Sequence, residues 1–212
     1  MKRPRVLIAD DHKLLADALK GVLEPRCEVV GIVGNGRELV RCASKLQPDL
    51  IVLDIAMPEL NGLDAARQLK ASMPDVNLIF MTMNEDPYLV GEAFRAGASA
   101  FLHKQGAAFE LTDAVEQVLR GKTYMTQSAS QGLSKLSLHT PSTRKHTPEP
   151  TPRQREVIQL LAEGHSMKEV ACTLKITKRT VAAHKYAVME QLQLRTNAEL
   201  VQYAIKNHII SL

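Results

Sequence analysis

Residues 5–13 read RVLIADDHK. In this stretch four apolar residues, 6–9, are followed at once by two aspartates, Asp10 and Asp11. A short apolar run of this kind predicts a buried β-strand. Two ionised carboxylates side by side repel each other, so their position at the end of a strand predicts a cation between them. The stretch therefore predicts one strand of a buried sheet, with a cation site where that strand ends.

The same alternation of apolar run and helical segment continues to about residue 120. Further predicted strands are CEVVGIV (27–33), DLIVLDI (49–55), VNLIFMT (76–82) and ASAFLH (98–103). Segments between them, such as HKLLADALKGVLE (12–24), have apolar residues three and four positions apart, which is typical of amphipathic helices. Five apolar strands separated by helices predict a five-stranded parallel sheet with helices on both faces, a doubly wound α/β fold of the flavodoxin-like kind.

The periodicity is lost between residues 121 and 150, where Ser, Thr, Pro and Lys predominate as in a linker. After it, TPRQ (151–154) and SMKE (166–169) each match a capping box that opens an amphipathic helix. Two more helices are predicted, one from Thr177 to about Gln193 and one that starts at TNAE (196–199). We therefore expect one domain over 1–121, a linker over 122–148 and an all-α four-helix domain over 149–212.

Composition limits the partners of the chain. The net charge is +4, but residues 1–120 carry 14 basic against 17 acidic residues, whereas residues 151–212 carry nine against five. A basic end on a mildly acidic body predicts a polyanion as partner of that end. No apolar stretch approaches about 20 residues, and the basic start MKRPR is followed by only four apolar residues, too few for a signal peptide. We therefore expect a cytoplasmic protein without a membrane partner. The cysteines Cys27, Cys42 and Cys172 lie in apolar, periodic contexts that predict buried, reduced thiols.

Chemically reactive side chains follow the predicted strands at their carboxyl ends, where open parallel sheets bind ligands. Besides the acidic pair, Asp54 follows the third strand, Thr82 the fourth and Lys104 the fifth. Three carboxylates with a hydroxyl and an ammonium suit Mg²⁺ and a phosphoryl group. Taken singly, an aspartate here is more often a helix N-cap, Thr82 an ordinary strand residue and Lys104 a solvated charge. The coincidence of five such residues favours a phospho-acceptor site.

Four motifs, VLIADDH (6–12), LDIAMPELNGLDA (53–65), MTMNEDP (81–87) and AFRAGASAFLHK (93–104), together resemble the receiver domain of bacterial two-component response regulators. The resemblance implies that Asp54 is phosphorylated by a sensor histidine kinase, and that the chain has no activity beyond its own phosphoryl transfer and dephosphorylation. It implies Mg²⁺ ligands at Asp10, Asp11, Asp54 and the backbone carbonyl of Ala56. It also implies that Thr82 and Lys104 contact the phosphoryl oxygens, and that Phe101 rotates into the space that Thr82 vacates. Phe101 taken alone could simply be a core residue.

The motifs TPRQREV (151–157), LLAEG (160–164), KEVA (168–171), TVAAH (180–184) and NAELV (197–201) resemble the four-helix LuxR/NarL-type DNA-binding domain. The helices predicted from 166 and from about 178 would form a helix-turn-helix whose second helix enters the major groove. The expected DNA-binding residues are Thr177, Lys178, Arg179, Thr180, Ala182, Ala183, His184, Lys185 and Tyr186.

Helical spacing divides seven of these nine residues into two groups. Arg179, Ala182, Ala183 and Tyr186 are expected on the groove-facing side. Lys178, His184 and Lys185 are expected at the flanks, where they would meet phosphates or pack against the domain. Two positions depart from the family pattern, because Ala182 stands where a lysine is common and Lys175 where a glycine is common. Glu156 is expected to pair with a nearby arginine as a structural carboxylate.

Together these features predict a phosphorylation-controlled transcription regulator. Its expected partners are double-stranded DNA carrying an inverted repeat, a sensor histidine kinase, RNA polymerase and a second copy of the chain when active. A stripe on the last helix, Leu200, Val201, Ala204 and Ile205, suits such pairing, although packing inside its own domain explains it equally. Two alternatives remain: a receiver-type adaptor that signals to a protein partner without binding DNA, and a flavodoxin-like carrier that uses Asp54 to pass a phosphoryl group to a small molecule.

Overall fold

The computed structural model describes residues 3–84, 86–131 and 149–210, which form two compact units. In the first unit the strands are β1 (Arg5–Ala9), β2 (Glu28–Val33), β3 (Leu50–Asp54), β4 (Asn77–Thr82), β5 (Ala100–His103) and β6 (Tyr124–Met125). The helices between them are α1 (Lys13–Leu23), α2 (Gly36–Leu46), α3 (Gly62–Ser72), α4 (Pro87–Arg95) and α5 (Ala107–Leu119). The predicted α/β fold class is confirmed.

The strands form one parallel sheet in the order β2-β1-β3-β4-β5-β6. On one face, alternate strand residues such as Val6, Ile8 and Val52 pack against Leu19 of α1 and Leu111 of α5. Because successive strand side chains point to opposite faces, the intervening apolar residues of the same strands are buried on the other face. Burial on both faces explains why the strands are almost continuously apolar.

The prediction of five strands is wrong, because Tyr124 and Met125 add a sixth strand beside β5. These two residues lie in the stretch that we assigned to the linker. The Tyr124 hydroxyl also donates a hydrogen bond to Glu110 Oε2 of α5 at 3.1 Å. A two-residue strand is too short to produce a periodic pattern, so only its pairing with β5 reveals it.

Over residues 149–210 the second unit has four helices, α6 (Pro152–Ala162), α7 (Met167–Leu174), α8 (Lys178–Gln191) and α9 (Asn197–Lys206). Both predicted capping boxes are present, and Thr196 with Glu199 forms a third at the start of α9. Arg153 pairs with the buried Glu156 at 2.9 Å and donates a hydrogen bond to the Leu174 carbonyl at 2.7 Å. The predicted structural role of Glu156 is thereby confirmed, and Arg153 ties α6 to the end of α7.

Exposure differs among the cysteines, and the prediction that all three are buried is wrong. Cys27 is buried, Cys42 is half-buried and Cys172, on α7, is exposed. Apolar neighbours in the sequence do not tell which side of a short helix faces water. None of the helices in the described parts of the chain combines the length and the apolar character needed to cross a membrane.

The turn between α7 and α8 contains a strained residue. Lys175 has φ 53° and ψ 44°, a left-handed conformation in which the Cβ of a non-glycine residue is crowded. The Lys175→Gly variant should raise the free energy of unfolding of the second unit by about 0.5–1 kcal/mol, since relief of strain exceeds the added chain entropy. Thermal unfolding of the full chain measures this. Lys178→Gly, at the helical start of α8, should instead lower stability, and a lowering by Lys175→Gly would contradict the interpretation.

Candidate functional site

The carboxyl edge of the sheet brings together residues that lie far apart in the chain. Lys104 Nζ lies 2.8 Å from Asp10 Oδ2 and 2.7 Å from Asp54 Oδ2, so one ammonium bridges two carboxylates. All three side chains are almost fully buried. The bridge exists because β1, β3 and β5 end at the same edge of a parallel sheet.

Burial from water changes the pKa values of the charged groups in this cluster. Burial raises the pKa of the Asp54 carboxyl, and the Lys104 ammonium offsets only part of that rise. Burial alone would lower the pKa of Lys104, but Asp54 and Asp10 outweigh it and the net pKa is raised. Lys104 is therefore firmly charged, while two buried carboxylates share this single positive charge.

Asp11 and His12 lie next to the buried carboxylates of Asp10 and Asp54. Asp11 is exposed beside Asp10, and His12 Nδ1 lies 2.8 Å from Asp11 Oδ1. One potential ligand atom from each of Asp10, Asp11, His12 and Asp54 lies within 4.8 Å of the others. The carboxylates of the cluster carry more negative charge than the Lys104 ammonium balances, and carboxylate oxygens are ligands that a hard divalent cation prefers. The sequence interpretation overlooked His12, although it follows the acidic pair directly.

Three further predicted residues lie at the neighbouring strand ends. Thr82 ends β4 in a buried position, and its hydroxyl accepts a hydrogen bond from the Asn84 amide at 3.0 Å. Ala56 follows β3 and is half-buried. Phe101, on β5, is fully buried, as a core residue would be. The contacts of Thr82 and Ala56 with a phosphoryl group or a metal, and the rotation of Phe101, stay predictions.

Gly62 supports the site through its lack of a side chain. It begins α3, and its amide donates a hydrogen bond to the Ile55 carbonyl at 2.8 Å. A Cβ added at Gly62 would lie only 2.0 Å from the backbone oxygen of Asp54. The loop after Asp54 therefore closes so tightly that no larger residue fits. The sequence interpretation gave Gly62 no role; its position at a helix start in NGLDA was the available signal.

In the second unit α7, a three-residue turn and α8 form a helix-turn-helix. Thr177 is the N-cap of α8, and its hydroxyl oxygen accepts a hydrogen bond from the Thr180 amide at 3.1 Å. The predicted DNA-binding residues that are exposed are Thr177, Lys178, Arg179, Ala183 and Tyr186, and those half-buried are Thr180, Ala182 and His184. The groove-facing side predicted for α8 is thus accessible.

Two sets of side chains with alternative expected roles pack inside the second unit. Lys185 is buried, because it follows Val181 by one helical turn and shares its inward-facing side. The Lys185 side chain therefore packs against the domain, and its contact with a DNA phosphate stays a prediction. Leu200 and Ala204 of α9 pack in a core cluster with Ile158 and Val188, so half of the apolar stripe is used inside the unit.

Comparison with protein families assigns both halves of the chain. Residues 6–116 match the response regulator receiver domain. Residues 151–204 match the bacterial regulatory proteins of the luxR family. The two matches coincide with the sheet unit and the helix-turn-helix unit.

Similar proteins share this arrangement along their whole length. The chain is 32% identical to the transcriptional regulatory protein LiaR of Bacillus subtilis over 210 residues, covering 98% of this chain and 99% of that protein. It is 30% identical to the transcriptional regulatory protein MctR of Rhizobium johnstonii over 209 residues, covering 98% and 95%. The response regulator RcsB of Salmonella typhimurium superposes with a TM-score of 0.64 at 26% identity, covering 96% of this chain and 97% of RcsB. An RcsB–DNA complex superposes with a TM-score of 0.61 at 26% identity, covering 95% and 98%.

Proposed function

The chain belongs to the two-component response regulators that join a receiver domain to a LuxR-type DNA-binding domain, and we propose that phosphorylation of Asp54 controls its binding to DNA. The observation that carries this proposal is the Lys104 bridge between Asp10 and Asp54 at the sheet edge. The domains proposed are a receiver over 1–121 extended by β6, a linker and a DNA-binding domain over 149–212.

Asp54 is the proposed nucleophile. Its carboxylate would attack the phosphorus of a phosphohistidine on the sensor kinase, forming an oxygen–phosphorus bond as the nitrogen–phosphorus bond breaks. Lys104 holds Asp54 Oδ2, so we assign the attack to Oδ1. Lys104 and the Thr82 hydroxyl would then bind oxygens of the transferred group. The receiver acts on no other substrate in this proposal.

Asp10, Asp11, Asp54 and the Ala56 carbonyl are the proposed ligands of Mg²⁺. When bound, the ion would neutralise charge on the phosphoryl oxygens. The excess of buried carboxylates over ammonium groups supports the assignment, since Lys104 alone cannot balance them. Asp11, at the exposed rim, would keep the site open to water and to the phosphoryl donor.

Partners beyond DNA follow from the same proposal. A sensor histidine kinase would supply the phosphoryl group, and RNA polymerase would respond to the DNA-bound protein. A symmetric dimer would read an inverted repeat with half-sites one helical turn, about 10 bp, apart. Val201 and Ile205 of α9 stay partly exposed and could contribute to such a dimer. Because its target is DNA, we place the protein in the cytoplasm.

Selection of bound sequences from a random DNA pool tests the proposed function. The full chain, treated with acetyl phosphate and Mg²⁺, should enrich an inverted repeat, and Asp54→Asn should enrich it less. Exposed Lys178 and Arg179 at the start of α8 support this expectation. Failure to retain any DNA, even at low salt, would favour the adaptor that signals to a protein partner.

Arg179 should supply most of the sequence-specific hydrogen bonding on the selected site. Since Ala182 cannot hydrogen-bond a base, Arg179→Ala should cost about 1–3 kcal/mol of binding free energy and relax preference at one base pair. Lys178→Ala should weaken binding to all sequences similarly and lower the salt slope by about one unit. Affinities for selected and random duplexes at several salt concentrations measure both. An equal loss on both duplexes for Arg179→Ala would make Arg179 a phosphate contact.

A further inference from the structure

A pocket in the second unit is lined by Lys185, a residue that the function proposed above does not use. The pocket has a volume of about 300 Å³ and lies between the start of α7, the middle of α8 and the start of α9. Lys185 of α8 lines it and is only 8% exposed. Among the described residues, Lys185 forms no hydrogen bond or ion pair. Its ammonium has only the ring of Tyr186, 5.4 Å away and mostly exposed.

The pocket wall lacks a negative charge to balance this ammonium. Its described lining residues include no aspartate or glutamate; the polar ones are His165, Ser166 and Asn197. The remaining lining is largely apolar, with Leu161, Leu200 and Val201. An apolar wall lowers the local dielectric constant, which strengthens the attraction between an ammonium and an incoming anion.

Two helix starts also line the pocket. Met167 begins α7 and Asn197 begins α9, and both residues line the pocket. The first amides of a helix have no partner within that helix and carry partial positive charge. Glu169 and Glu199 close the capping boxes of these helices, and the full negative charge of each carboxylate exceeds the partial positive charge of its helix start. Lys185 is therefore the group on which an anion would depend.

We propose that this pocket binds an oxyanion of phosphate size, with Lys185 as its counter-charge. The volume matches the lower end of small-ligand pockets and suits a phosphate or a short phosphorylated or carboxylated molecule better than a large cofactor. The same chemistry has two sources, a free anion or a phosphodiester of the DNA backbone. Only the second source rests on the proposed DNA binding.

Titration of the full chain with inorganic phosphate tests the site directly. The experiment is run without Mg²⁺ and at constant ionic strength, and NMR follows the Lys185 side chain and the amides of Ser166 and Asn197. We expect saturable shifts with a dissociation constant on the order of 1–10 mM. Lys185→Met keeps the apolar stem and should abolish them, whereas Lys206→Met, an exposed lysine on α9, should leave them unchanged. The amide spectrum of each variant reports whether it is folded.

The salt dependence of DNA binding distinguishes the two sources. If a backbone phosphodiester occupies the pocket, Lys185→Met should lower the salt slope on a selected duplex by about 0.9. If the slope is unchanged while phosphate still saturates the wild-type pocket, the ligand is a free anion. Shifts that stay linear in phosphate concentration, together with an unchanged slope, would overturn the proposal. The phosphate titration requires no DNA, so it stands even if the chain binds none.

Discussion

Asp54→Asn should abolish the phosphoryl labelling that we expect when the wild-type chain is incubated with acetyl phosphate and Mg²⁺. An amide is a poor nucleophile toward phosphorus, and the other carboxylate that Lys104 holds, Asp10 at the end of β1, is a proposed metal ligand. Asparagine matches aspartate in size and removes one buried negative charge, so the fold should persist. The intact mass of the protein after incubation measures the result.

Two variants make the Asp54→Asn result specific. Asp75→Asn changes an exposed aspartate in the turn before β4, at the opposite edge of the sheet, and should label like the wild type. Asp11→Ala removes a proposed metal ligand but keeps the Asp54 carboxylate, so it should reduce labelling strongly without abolishing it. Undiminished labelling of Asp54→Asn would refute the assignment of the acceptor.

Gly62→Ala should damage both stability and phosphorylation. The added methyl group would lie 2.0 Å from Asp54 O and 2.9 Å from Ile55 Cα, so the backbone that carries Asp54 has to move. Overpacking against backbone should cost about 2–3 kcal/mol of unfolding free energy. Because Asp54 shifts relative to Lys104, labelling by acetyl phosphate should also slow by at least about tenfold, equivalent to 1.4 kcal/mol. Guanidinium unfolding and the labelling rate measure the two effects.

Gly21→Ala is the matched control for Gly62→Ala. Gly21 lies inside α1, and a Cβ added there meets no atom within 4 Å. Alanine is the better helix former, so this variant should gain about 0.5–1 kcal/mol of stability and label normally. Wild-type stability and labelling in Gly62→Ala would mean that the Asp54 loop does not depend on the missing side chain.

Local patterns predicted most of the elements. Apolar runs located β1 to β5 within one or two residues, because strand burial requires a continuous stretch of apolar side chains. Capping boxes at Thr151 and Ser166 located two helix starts, because both partners lie within one turn. The order of strands and helices also placed the reactive residues at one edge, since parallel strands share their carboxyl ends.

Contacts between distant residues were decided by the tertiary structure. Spacing placed Lys104 at the correct edge, but could not show that its ammonium would bridge Asp10 and Asp54, residues that lie more than 40 positions away. The same holds for Gly62, whose role depends on the approach of a helix start to the Asp54 backbone. Lys185 is buried because its side of α8 packs inward, whereas helical spacing left packing and phosphate contact both open for this residue.

The physical difference lies in the range of the interactions. Helix and strand periodicity, caps and turns involve residues a few positions apart, so the local sequence determines them. Burial of a charge, closure of a loop or addition of β6 depends on which surfaces meet after the chain has folded. The location of the proposed acceptor site could therefore be predicted from strand ends, while its ion-pair geometry, the close packing at Gly62 and the pocket at Lys185 came only from the packed structure.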